Sequence, residues 1–152
     1  MSTIELTNMV MIQDEVMGKV LAQDRAKNWH GYSFPGGHIE KGESFLDSAV
    51  REAKEETGLS VRNLKGCGVI HWINTINDNR YIAFLYKTSD FSGELLEKTD
   101  EGANVWMSVD ELFAAKSDNG LHEILHMFLH NEYSEAVGSW SDDSDWRIEK
   151  FI

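Results

Sequence analysis

The stretch GHIEKGESFLDSAVREAKEETGL, Gly37 to Leu59, decides how this chain is read. It carries Glu52, Glu55 and Glu56 at i, i+3 and i+4. On a helix, such spacing puts all three carboxylates on one face. Like charges that close repel and weaken the helix unless a cation binds them. A hard divalent cation with oxygen ligands meets that need, and Mg²⁺ beside a phosphate is its usual setting.

Local signals predict a helix over about Ser44 to Thr57. Ser44 suits the N-cap, and Asp47 three residues on makes a weak capping box. Leu46, Ala49, Val50 and Ala53 form an apolar stripe of helical period. Gly58 suits the left-handed position that ends a helix. Pro35-Gly36-Gly37 marks a loop before it. The acidic triplet is therefore expected on the solvent side of a short helix entered through a Gly-rich loop. Leu59 and Ser60 follow Glu55 and Glu56 at i+4, so two of the three acids lack a following cationic partner.

Taken in order, the stretch is Gly37, five residues, Glu43, seven residues, Arg51-Glu52-Ala53, one residue, Glu55-Glu56, one residue, Gly58-Leu59. This resembles the Nudix box, with no departure at a fixed position. Chance agreement is on the order of 10⁻⁸ per start position at ordinary composition, which sets coincidence aside. Phe34 to Gly37 and the Trp106 region extend the resemblance more loosely along the chain.

The resemblance implies an α/β/α sandwich with a mixed sheet, in which the box is a loop–helix–loop. It implies hydrolysis of a nucleoside diphosphate linked to a group X, with Mg²⁺ or Mn²⁺ as cofactor. By the family pattern Glu52 and Glu56 are the surest metal ligands, with Glu55 and the Gly37 carbonyl beside them. Arg51 can pair with Glu55 at i+4, and in the family pattern it pairs with Glu43. It is grouped with the catalytic residues but expected to fix the loop and tune the carboxylates. Glu101 stands five residues before Trp106, as does a metal-binding or water-activating Glu in Nudix enzymes that clean modified purine triphosphates. Glu101 is thus the expected general base and a further ligand, with Glu55 as rival. Asp118 and Asn119 are similarly placed to pair with a purine edge, although a polar turn before Gly120 is an equal reading. Arg25 is a candidate phosphate contact. Phe34, Trp29 and Tyr81 are candidates to stack on a base, although an aromatic near a strand is more often core.

Composition bounds the rest. The chain has 152 residues and a formal charge of −12. That length suits one domain with a substantial core. The charge argues against a nucleic-acid polymer as partner and repels a free triphosphate, so metal ions would have to bridge acid to acid. Cys67 is the single cysteine. No internal disulfide is possible, and its apolar setting suggests a buried thiol. Neither a basic leader nor a membrane-length apolar run is present, so a cytoplasmic protein, monomer or homodimer, is expected.

Strands are expected at Thr7–Ile12, Lys19–Ala22, Tyr32–Phe34, Ser60–Leu64, Gly68–Asn74, Tyr81–Thr88, Asn104–Met107 and Trp146–Ile152. Short and long helices are expected at Asp110–Ala115 and Leu121–Tyr133, and solvated loops at Asp24–Gly31 and Ser139–Asp145. His122, His126 and His130 lie at i, i+4 and i+8. With no carboxylate partner they fit a solvated face better than a zinc stripe.

The favoured function is cleavage of a nucleoside triphosphate, such as 8-oxo-dGTP, to monophosphate and pyrophosphate. The alternatives are another nucleotide (ADP-ribose, a sugar nucleotide or a dinucleotide), a Nudix-fold module without catalysis, and an isomerase using Cys and Glu. Intact box carboxylates weigh against the module, and the apolar setting of Cys67 against the isomerase.

Overall fold

The computed structural model describes residues 1–27, 30–116 and 120–152. Strands β1 (Ile4–Asp14), β2 (Lys19–Arg25) and β3 (Gly31–Ser33) precede helix α1 (Phe45–Thr57). Then come β4 (Ser60–Arg62), β5 (Lys65–Asn74), β6 (Arg80–Thr88), β7 (Asp90–Ser92), β8 (Lys98–Thr99) and β9 (Gly102–Met107). Helices α2 (Val109–Ala114) and α3 (Leu121–Leu129) lead to the hairpin β10 (Glu135–Ser141) and β11 (Ser144–Phe151).

One mixed sheet runs β11-β10-β5-β6-β1-β2-β9-β8, with β3 on β2, while β4 and β7 pair apart. Strand β1 is parallel to β6 along nine register pairs, from Ile4↔Arg80 to Ile12↔Thr88. Against β2 it pairs only at Gln13↔Val20 and Asp14↔Lys19, then diverges. The Gly-rich loop fills the wedge so opened. Val10 N donates to Pro35 O, Asn8 N to Gly37 O and Ile39 N to Leu6 O. A Cβ on Gly36 would lie 2.1 Å from the Asn8 carbonyl oxygen, so only glycine lets the loop in.

Alternation along β1 builds the two faces. Val10 and Ile12 pack with Leu21, Ala49 and Ala53 under α1. Met11 points the other way, into a larger core with Ile70, Leu85, Leu112, Leu125 and Phe128. The result is the expected α/β/α sandwich.

Three local expectations change. Ser139–Asp145 is not a loop: Ser139 to Ser141 end β10, and a turn leads directly into β11. Its polar composition reflects a strand pair largely open to solvent. Strand β2 continues to Arg25 because it pairs with β9 from Val20↔Met107 to Arg25↔Gly102. Helix α3 stops at Leu129, with His130 as an extended C-cap.

Phe128 is fully buried and meets Phe34 edge-on at 5.2 Å. Phe128→Ala should cost about 3–5 kcal/mol of stability. Urea unfolding would show it as a lower midpoint at unchanged slope.

Candidate active site

Helix α1 delivers the acids. Ser44 Oγ accepts from Asp47 N at 3.0 Å to start it, and Gly58, at φ 78°, ends it. Ala49 and Ala53, fully buried, let the helix lie close on the sheet. Glu52 and Glu56 then face the Gly-rich loop. Glu56 Oε2 accepts from Gln23 Nε2 at 2.8 Å and from Gly36 N at 3.1 Å. The Glu52 carboxylate lies so close over Gly37 that a Cβ there would sit 2.5 Å from its carboxyl carbon.

Arg51 ties loop to helix. Its Nε donates to Glu43 Oε1 at 2.5 Å and its Nη2 to Glu43 Oε2 at 3.0 Å and to the His38 carbonyl at 3.1 Å. Its Nη1 reaches Glu52 at 3.0 Å and Glu55 at 3.2 Å. These bonds hold the guanidinium firmly charged, chiefly through Glu43. The same Arg51 bond holds the Glu43 carboxyl below the usual carboxylate range. Arg51 spends its donors on Glu43, Glu52, Glu55 and the His38 carbonyl, all within the box.

The acids also depart from the expected solvent face. Only Glu55 is well exposed, at 57%, against 14% for Glu52. Burial raises the Glu52 carboxyl above its ordinary value, against the opposing pull of Arg51. Burial, assisted by the charges of Glu52 and Glu101, pushes Glu56 up to about 7. The α-helical stripe alone misleads here because the Gly-rich loop and β2 cover what would be the helix's outer face.

Glu101 joins from the turn between β8 and β9. It pairs with Arg25 at 3.2 Å and lines the same cleft as Glu52 and Glu56. Glu55 lies outside that cleft, among the described residues, and its carboxylate meets Arg51. Gly37, Arg25, Phe34 and Tyr81 also line it. Phe34, however, is only 3% exposed and packs on Phe128, so it is core wall rather than an open stacking platform. Trp29, Asp118 and Asn119 lie outside the described residues.

These residues fit a hard divalent cation. Glu52, Glu56 and Glu101 offer carboxylate oxygens, and the Gly37 carbonyl, which accepts from Asn8 N at 2.9 Å, keeps a second lone pair. An all-oxygen set suits Mg²⁺ or Mn²⁺ over softer metals. Among the described residues no three such side chains already form a metal cage. Glu52 leans on Arg51, and Glu56 on Gln23 and Gly36, so a cation would compete with those partners.

The remaining candidates lie elsewhere. His126 stacks on His130 at 5.3 Å, and His122 lies 5.6 Å from Phe113, in a ladder of rings without a carboxylate cage. Cys67 is buried, and burial pushes its thiol up. Gln23, Trp72 and Trp146 carried no motif in the sequence. Gln23 is a polar residue buried within an apolar strand, at 2% exposure, and that was its one available signal.

The cleft spans about 1030 Å³. A NUDIX domain model matches residues 6–129. This chain belongs to the Nudix family. It is 30% identical over 110 residues to the uncharacterized Nudix hydrolase YvcI of Bacillus subtilis, covering 70% of this chain and 67% of that protein. Over 38 residues it is 53% identical to the putative 8-oxo-dGTP diphosphatase YtkD of the same organism, covering 25% and 24% of the two chains. The MutT protein of Bacillus halodurans superposes with a TM-score of 0.78 at 23% identity, over 95% of this chain and 97% of that one. The Nudix fold is thus shown, and the protein is a Nudix hydrolase. No helix among the described residues is long and apolar enough to cross a membrane.

The buried Glu56 has a measurable consequence. Its folded value near 7 exceeds the ordinary 4.5, so the folded state binds the proton more tightly. Its contribution is full below about pH 4.5 and is lost as pH rises to about 7. The loss is at most about 3 kcal/mol. Glu56→Gln keeps an acceptor for Gln23 and Gly36 without the charge. In EDTA it should be more stable than the parent at pH 8 and similar at pH 4.5, by urea denaturation. A parent profile as flat as the variant's would contradict this.

Proposed function

We propose that this Nudix hydrolase is a Mg²⁺-dependent pyrophosphohydrolase of nucleoside diphosphates linked to X, and that a purine nucleoside triphosphate such as 8-oxo-dGTP is its substrate. That Glu52, Glu56, Glu101 and Gly37 line one cleft carries this reading. Similarity to a putative 8-oxo-dGTP diphosphatase supports the substrate class.

Glu52, Glu56, Glu101 and the Gly37 carbonyl would hold Mg²⁺, with Glu55, outside the cleft beside Arg51, as a further ligand. An ion held there would supply charge neutralisation for phosphate oxygens and acidify water. Glu101 accepts the proton of the attacking water, with Glu55 as the rival base. Arg25, held beside Glu101, contacts the phosphates. Arg51 and Glu43 keep the carboxylates aimed, and Gly58 lets the helix end where it must. Asp118 and Asn119 read the purine edge. The bond broken is a phosphoanhydride: water supplies oxygen to one phosphorus, and pyrophosphate leaves with the bridging oxygen.

A screen of nucleotides with Mg²⁺ or Mn²⁺, with product identification, tests this. Monophosphate plus pyrophosphate from one purine triphosphate is the expected result. Orthophosphate as first product, or turnover only of ADP-ribose, a sugar nucleotide or a dinucleotide, would replace the substrate assignment. Glu56→Gln should lower kcat on the order of 10²-fold or more while remaining folded. Undiminished turnover would remove Glu56 from the metal site.

A further inference from the structure

Beyond the acids, the cleft runs into a cluster of aromatic rings. His38 follows Gly37 and meets Tyr81 edge-on at 6.4 Å. Tyr81 meets Trp72 at 5.7 Å and Trp146 at 5.4 Å, and the two indoles meet at 5.2 Å. Two ring contacts therefore connect the box loop to Trp146. Trp72 and Tyr81 are cross-strand partners on β5 and β6, whereas Trp146 comes from β11, beyond the residues matched by the family model.

This group is built, not incidental. A Cβ on Gly138 would lie 2.5 Å from the Arg147 carbonyl oxygen and 2.7 Å from the Trp72 ring, so β10 carries glycine where β11 and the indole both approach it. Trp140 stacks flat on Trp146 at 4.4 Å and 2°. Trp72 is only 7% exposed, but Trp146 remains 41% exposed while lining the cleft. An indole braced on one face and left open at the cleft has apolar area available to another ring.

We propose that Trp146, with Trp72 and Tyr81, forms the subsite that stacks on the purine base of the substrate. The orientation follows from charge. Asp145 lines the cleft beside Trp146, a lone carboxylate that repels phosphates, whereas the several acids near Gly37 suit a metal–phosphate complex. The ring-lined end is thus left for the base. At a net charge of −12 there is little basic surface to hold a nucleotide, and stacking supplies affinity without charge. Trp146 is a specificity-determining residue here, and it acts on binding rather than on the anhydride. The inference rests on the hydrolase reading for the direction in which the nucleotide lies, but not for whether a purine binds.

GMP binding by calorimetry in EDTA reads the subsite without turnover. GTP kinetics in Mg²⁺, and inhibition by inorganic tripolyphosphate, which has no base, complete the test. Stacking is worth about 1–3 kcal/mol per base, so Trp146→Ala should weaken GMP binding roughly 5- to 150-fold. It should raise KM for GTP more than it lowers kcat and leave tripolyphosphate inhibition in place. Trp146→Leu keeps apolar bulk without a ring and should show the same loss, whereas Trp146→Phe should retain most of the affinity. Parent-like GMP affinity in folded Trp146→Ala or Trp146→Leu, or equal losses for GMP and tripolyphosphate, would overturn the subsite. If GMP binds through Trp146 but no nucleotide is cleaved in Mg²⁺, the subsite stands and the pyrophosphohydrolase reading falls.

Discussion

The insertion of the Pro35–Ile39 loop between β1 and β2 is the constraint on which the site depends. Strand β1 keeps its parallel bonds to β6 but holds β2 at only two register pairs. The unpaired backbone groups of β1 must find partners, because buried N–H and C=O groups left alone are costly. The loop supplies them at Asn8, Val10 and Leu6. That same seating turns the Gly36 N–H toward Glu56 and brings Gly37 under the Glu52 carboxylate. Neither glycine can be replaced without collision, one against backbone and the other against a carboxylate.

The electrostatics follow from that seating. Two carboxylates are pressed into partly dry surroundings, with Glu101 nearby and one arginine divided among Glu43, Glu52 and Glu55. Without a cation, Glu56 holds a proton far more readily than an exposed glutamate does. The arrangement opposes stability at neutral pH, and such opposition is common where a protein keeps charge for chemistry. Glu43 and Arg51 form the compensating element. Their two-bond contact anchors the loop to the first turns of α1, and Ser44 and Gly58 fix the ends of that helix.

Much of this was legible in the sequence, and the failures have physical causes. Helix α1 could be read because its cap, stripe and terminal glycine agree over thirteen residues. The box acids could be named from spacing, yet their burial could not, since it is imposed by Gln23 and Gly36 from other elements. Phe34 was placed by motif, but its partner Phe128 lies 94 positions away in a helix. Strand β11 was read from Trp146 onward, but β10 and the turn before β11 were hidden because their serines and aspartates locally resemble a loop. What pairs β10 is β5, through six parallel register pairs from Glu135↔Val69 to Trp140↔Asn74. Propensity within a window cannot contain a partner that distant.

That late hairpin bears on how an acidic protein can hold an acidic ligand. One wall of the cleft gathers Glu52, Glu56 and Glu101, and any phosphate there needs a cation between. The other wall presents three edge-to-face rings whose apolar area is indifferent to charge. Affinity divided this way makes each wall weaker alone than the two together: phosphate without a base lacks the stack, and a base without a metal-bridged phosphate lacks the other half. A ligand joining both chemistries through a short, flexible linker satisfies the cleft, and a nucleotide is such a ligand. The box residues belong to the first wall, while the second wall comes from strands β5, β6 and β11, so the sequence of one can vary without disturbing the other.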